Sequence, residues 1–187
     1  RRGEHSEWSG FIITISAKYP GPEEEDYKAV VLHEYFHIYQ HAHIFSRKES
    51  ERNSCNQVNP WWAEGGAEYM AQLLYSRQKG VRPGYLKEKM RQKLRSLKDL
   101  KKGESITEIP YGERAMIAYD LGTWFIAYLI DRTSEEAYLK GFYRDLNKEG
   151  FEGSFQKNFG LSSKAMLEAF HQSFLPLSEE EKLKILP

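Results

Sequence analysis

The stretch Val31-Leu32-His33-Glu34-Tyr35-Phe36-His37 puts two histidines four residues apart inside an apolar run. That pattern predicts a helix, and residues four apart share one of its faces, with Cβ atoms about 6 Å apart. Two imidazoles so placed can bind one zinc ion. Glu34, beside the first histidine, can reach a water on the metal and take its proton. Val30, Val31, Leu32 and Phe36 give the helix an apolar side that packs and keeps such a site dry. The same two histidines are also an ordinary surface feature of a helix, so a third ligand is the deciding element.

Working outward, Glu23 to Asp26 place four acids where they complement the dipole of a starting helix, and the apolar face runs on to about His43. His41 extends the histidine row. It stands about 12 Å along the axis from His33 at 1.5 Å per residue, so one ion cannot take all three, and His41 is expected at the rim. His5, His43 and His171 carry no ligand pattern and read as ordinary histidines.

Before this helix, Trp8 to Ser16 is β-branched and aromatic and ends at Pro20-Gly21-Pro22, which predicts a short edge strand. After it, Ser46 to Asn59 reads as a polar loop. Asn59-Pro60 starts a helix from about Trp61 to Arg77. Tyr85 to Leu100 reads as a basic amphipathic helix with a solvated charged face, and Gly112 to Ile130 as a largely buried one. Ser134-Glu135-Glu136 caps another, ending near Gly150; short helices over 153–159 and 162–174 and a charged tail follow. The expected fold is mainly α, an α+β domain with a thin N-terminal β-edge. It forms one domain over 1–187, with edge strand and zinc helix in 1–45 and a helical lobe in 46–187.

The helix after the loop supplies the missing ligand: Asn59-Pro60-Trp61-Trp62-Ala63-Glu64-Gly65-Gly66-Ala67-Glu68-Tyr69. Glu64 and Glu68 lie on one face. Glu64 as third ligand leaves a fourth zinc position open for water, as catalytic sites require. Glu68, one turn on, can accept from the far nitrogen of a ligand histidine and fix its tautomer. Glycine costs a helix interior about 1 kcal/mol, so Gly65-Gly66 suggests that close approach of another helix is wanted.

Bulk composition excludes more than it assigns. Lys+Arg and Asp+Glu each total 27 in 187 residues, so the formal net charge is zero and no nucleic-acid footprint is present. A single cysteine, Cys55, rules out an internal disulfide and a multi-thiolate metal site. No apolar run approaches the roughly 18 residues needed for a membrane span. The chain opens on Arg1-Arg2-Gly3, as expected of a processed or trimmed chain. Expected partners are zinc and a peptide or protein substrate; oligomeric state is not legible.

With these residues in place, the chain resembles the gluzincin metallopeptidases, and most of all the catalytic subdomain of bacterial collagenases. The likeness rests on His33-Glu34-Tyr35-Phe36-His37 and on Trp61-Trp62-Ala63-Glu64-Gly65-Gly66-Ala67-Glu68-Tyr69. It implies a gluzincin-like fold, His33, His37 and Glu64 as zinc ligands, Glu34 as general base, Glu68 as orienter of a histidine, and a secreted or cell-envelope location. Tyr119-Asp120-Leu121-Gly122 is similar to the Tyr-x-x-Gly helix of gluzincin aminopeptidases. That implies Tyr119 as the donor that stabilises the oxyanion, with Tyr111 as next candidate. The Gly-x-Met-Glu-Asn stretch that captures a free amine in those aminopeptidases has no counterpart around Gly10 to Ser16, which points to an endopeptidase. The segment after His37 differs from the collagenase pattern, and so little sheet precedes the zinc helix that part of the usual N-terminal lobe is expected to lie outside this chain. A zinc-binding interaction domain without turnover, a zinc hydrolase of a non-peptide bond and a helical interaction domain with an accidental motif remain the alternatives.

Overall fold

The computed structural model describes residues 26–43 and 59–187. The expected edge strand, the loop up to Val58, His5 and Cys55 lie outside the described residues. Within them the chain is mainly helical: α1 (Asp26–Ala42), α2 (Pro60–Ser76), α3 (Tyr85–Lys93), α4 (Ala115–Arg132), α5 (Tyr143–Phe159), α6 (Ser163–Ala169) and α7 (Glu179–Leu183). No helix among the described residues is long and apolar enough to cross a membrane.

α2 is the central element, packed against α1 on one side and α4 on the other. Asn59 holds the extended backbone of an N-cap and Pro60 occupies the first turn, where a missing N–H costs nothing. The Asn59 amide does not cap α2; it donates to the Thr107 carbonyl at 2.5 Å and ties the start of α2 to the 3-10 turn Ile106–Glu108. Trp61 and Trp62 then enter the core. Trp62 is fully buried against Tyr138, Phe142, Phe151, Phe155 and Phe159, while Trp61 meets Phe125 edge-on. Aromatic pairs of this kind contribute about 0.5–1.5 kcal/mol beyond the area they bury, so these two residues anchor the N-terminal half of α2 firmly.

The small residues act where the helices cross. A Cβ on Gly65 would collide with the Gly122 backbone of α4, and one on Gly122 with the Trp61 carbonyl of α2. α2 and α4 are therefore in backbone contact, which places the turn of α4 before Gly122 opposite Glu64.

Several elements differ from the sequence expectation. The helix expected over 85–100 is α-helical only through Lys93 and continues as a 3-10 turn, Leu94–Asp99. Its Ser96 hydroxyl hydrogen-bonds Asp120 of α4 at 2.5 Å, a tertiary contact no periodicity encodes. Its basic face is not wholly solvated, because the Lys93 side chain is 14% exposed and ion-paired. The stretch before α5 winds as a π-helical turn, Ala137–Phe142, and α5 kinks at Gly150, whose φ of 70° suits glycine alone. The charged tail contains α7, started by a capping box between Ser178 and Glu181.

Candidate metal centre

Three donor atoms from α1 and α2 converge. His33 Nε2 and His37 Nε2 stand 3.1 Å apart, and each lies 3.2 Å from Glu64 Oε2. The spacing of the histidines comes from one turn of α1, and Glu64 faces them because Trp61, Trp62 and the Gly65–Gly122 contact fix α2.

The remaining ring nitrogens show what this triangle accepts. His33 Nδ1 donates to Glu68 Oε2 at 3.1 Å, and His37 Nδ1 donates to Gln40 Oε1 at 2.8 Å. A neutral imidazole carries one N–H, so with both Nδ1 atoms donating, both Nε2 atoms present lone pairs. In the neutral rings two lone pairs and a carboxylate oxygen then face one point, an arrangement relieved by positive charge there, whether a metal ion or the second proton of His33. Ligands at about 2.0–2.1 Å from a tetrahedral zinc stand about 3.3–3.4 Å from each other. The triangle has that size within a few tenths of an ångström, and its donor set of two imidazoles and a carboxylate suits zinc.

Electrostatics agree. Burial opposes charge on His33, yet hydrogen bonds and the charges of Glu64 and Glu68 overcome it and raise its pKa from 6.5 to about 9. Burial likewise opposes charge on Glu68, but His33 and then Lys93 lower its pKa from 4.5 to about 2. Glu64 is held well below the usual carboxylate range by His33, His37 and Tyr111, again against burial. Cations are favoured at this site and carboxylates stay ionised.

A cleft of about 480 Å³ opens beside the triangle, lined by Val30, His33, Glu34, Lys93, Met116 and Tyr119 among others. Glu34 is half-buried on its wall, next to His33 in sequence. Tyr119 comes from α4 and lies close enough to Glu64 and Glu34 to feel both charges. Tyr111, just before α4, donates its hydroxyl to Glu64 Oε1 at 3.0 Å, and its ring meets Tyr119 edge-on. Both phenol pKa values are pushed above 10, first by burial and then by Glu64, so both remain hydrogen-bond donors.

All the residues singled out from sequence, His33, Glu34, His37, Glu64, Glu68, Tyr119 and Tyr111, thus sit at one end of the α1–α2–α4 assembly. His41 is exposed and outside the donor triangle; His43 Nδ1 donates to the Tyr39 carbonyl at 2.8 Å; His171 borders a separate groove. Two contributors escaped sequence reasoning. Gln40 left a trace, an uncharged polar residue one turn beyond His37 on a buried stripe. Lys93, which meets Glu68 at 2.7 Å and Asp120 at 3.3 Å, looks in sequence like any member of its basic run.

Comparison with known proteins gives the chain a family. No curated protein and no solved structure matches the chain significantly. The model of one family, described as M61 glycyl aminopeptidase, matches residues 26–145, the span that runs from the start of α1 into α5 and carries every residue of the site. The chain therefore belongs to the M61 glycyl aminopeptidase family, a family of metallopeptidases.

Proposed function

We propose that the chain is a zinc-dependent peptidase of the gluzincin type that cleaves within peptides, with His33, His37 and Glu64 holding the metal. The observation that carries this reading is the donor triangle, in which both Nδ1 atoms are hydrogen-bonded outward and both Nε2 atoms face Glu64 Oε2. When bound there, zinc supplies Lewis acidity that lowers the pKa of water and polarises a carbonyl. Glu34, on the cleft wall beside His33, takes the proton of the attacking water and returns it to the leaving amine. Tyr119 donates its phenolic hydrogen to the charge that develops on the substrate oxygen. Tyr111 holds Glu64 by Oε1 and so turns Oε2 toward the histidines. Glu68 fixes His33, and Lys93 neutralises Glu68 in a half-dry setting.

Internal cleavage is favoured by how the cleft's carboxylates are used. Glu68 is bound by His33, Lys93 and Gln72, and Asp120 by Lys93 and Ser96. With Glu34 as base, each carboxylate lining the cleft already has a partner or a role. The segments of collagenase type at 33–37 and 61–69 support the same mode. The family's name favours a second reading, release of an N-terminal residue, glycine foremost.

Metal content and cleavage of a mixed peptide library, measured for wild type and Glu34→Gln, test the proposal. The variant should keep its zinc and lose about 10²–10⁴-fold in rate, the usual worth of a general base. Wild-type protein without affinity for zinc overturns the reading, and zinc without cleavage makes the chain a binding module. Acetylated peptides decide the mode: an endopeptidase cuts them as it cuts free ones, whereas an aminopeptidase does not.

A further inference from the structure

Gln40 is an uncharged polar side chain in direct contact with the donor triangle, and it is 0% exposed. Its amide makes two hydrogen bonds of opposite sense. Nε2 donates to the Ala63 carbonyl at 2.9 Å, and Oε1 accepts from His37 Nδ1 at 2.8 Å. The assignment is forced, because a carbonyl oxygen only accepts: whichever amide atom faces Ala63 must be the nitrogen. The other face of the amide is then an acceptor, and the ring atom against it must carry hydrogen.

The pocket around the amide leaves it little room to turn. A Cβ at Gly66 would run into the Tyr138 hydroxyl and stand 3.3 Å from Gln40 Nε2, so this glycine makes space chiefly for Tyr138, with the amide packed tightly beside it. The Tyr143 hydroxyl lies beside the same amide, and both tyrosines are buried. Ala63 is the residue before Glu64, so one side chain connects a histidine of α1 to the peptide that leads into the carboxylate of α2.

We propose that Gln40 is a positioning residue of the metal centre, holding His37 as its Nδ1–H tautomer and locking the α1 pair of donors in register with Glu64. The two histidines are thereby supported unequally. His33 leans on a carboxylate, Glu68, which strengthens its donor character, whereas His37 leans on a neutral amide, which sets orientation with little added charge. The proposal rests on the metal reading above only for its consequence in zinc binding; the tautomer of His37 is a property of the chain itself.

The test compares Gln40→Met and Gln40→Glu in the full chain. Both fill about the same volume, and an ionised glutamate loses the donor to Ala63 just as methionine does. They differ in whether His37 keeps an acceptor. Nitrogen-15 NMR of the metal-free protein at alkaline pH reports the His37 tautomer, and competition with a chromogenic chelator reports zinc affinity. Wild type and Gln40→Glu should show His37 protonated on Nδ1, and Gln40→Met should shift it toward Nε2 while weakening zinc binding by about 10–100-fold. Equal tautomers and equal zinc affinity in the two variants would reduce Gln40 to packing and overturn the proposal. A wild-type His37 protonated on Nε2 overturns it too, and needs no variant to fold. Wild-type protein that takes up no zinc overturns the metal reading instead, which keeps the two failures apart.

Discussion

At the scale of single residues, the sharpest question is how two tyrosines divide one site. Tyr111 is 52% exposed and its hydroxyl is already bound to the Glu64 oxygen that faces away from the histidines. Tyr119 is less exposed and lies on the cleft wall with Glu34, although its hydroxyl also interacts with Glu64. Tyr119→Phe should therefore lower kcat by about 10²–10³-fold, the cost of one oxyanion donor, with KM and zinc content little changed. Tyr111→Phe should act on the metal, weakening zinc affinity about tenfold by freeing the Glu64 carboxylate to turn about its outer oxygen, and change kcat of the loaded enzyme less. Steady-state kinetics at saturating zinc, with a chelator titration of each variant, separate the two; a reversed pattern exchanges the roles. The proposed ligands and base stand out in sequence because their chemistry is written in residue type and a four-residue spacing. The tyrosines were legible only as a pair, since which phenol reaches which atom depends on α4 meeting α2. Lys93 was not legible at all: its charge is buried against Glu68 and Asp120 from two other helices, and nothing local separates it from Lys87 or Lys89.

At the scale of elements, the crossing of α2 and α4 sets the site. Because Gly65 and Gly122 meet through their backbones, an added methyl has no flexible side chain to displace. Gly122→Ala should cost at least the usual 1–3 kcal/mol of overpacking, about what a Cβ forced into a packed core exacts, visible as a lower urea midpoint. It should also slow turnover, because Tyr119 stands one turn before Gly122 and moves with α4. Zinc should be retained, since the ligands belong to α1 and α2. A variant as stable and as active as wild type would show that the crossing has slack. The glycine pair was readable as a demand for close approach, but its partner was not. Helices α1, α2 and α4 were readable from periodicity and caps, whereas the 3-10 turn at 94–99 and the π turn at 137–142 were not. Ser96 of the 3-10 turn hydrogen-bonds Asp120, and Gly141 of the π turn packs closely on Asn158, contacts that no local pattern encodes.

At the scale of the whole molecule, the site couples folding, pH and metal. In protein stripped of metal, His33 titrates near 9 rather than 6.5, so its proton stabilises the fold fully below pH 6.5, and that contribution is lost as pH climbs through about 9. Glu68, lowered from 4.5 to about 2, works in the opposite sense: its contribution is present above pH 4.5 and lost as pH falls toward 2. Glu64, also lowered, has the same sign. The cluster thus favours the metal-free fold most between pH 4.5 and 6.5. Zinc at the triangle would take the place of the His33 proton, so its binding should release that proton below about pH 9, and apparent affinity should climb with pH over this range. Free zinc at a hundred times its Kd stabilises the folded chain by about 2.7 kcal/mol, a rise of roughly 5–11 °C in Tm for a domain of this size. Thermal melts with zinc and with chelator, repeated from pH 6.5 upward, should then show the chelated protein losing Tm while the gap to the loaded protein widens. A gap that narrows over that interval would mean that His33 is not the proton that zinc displaces.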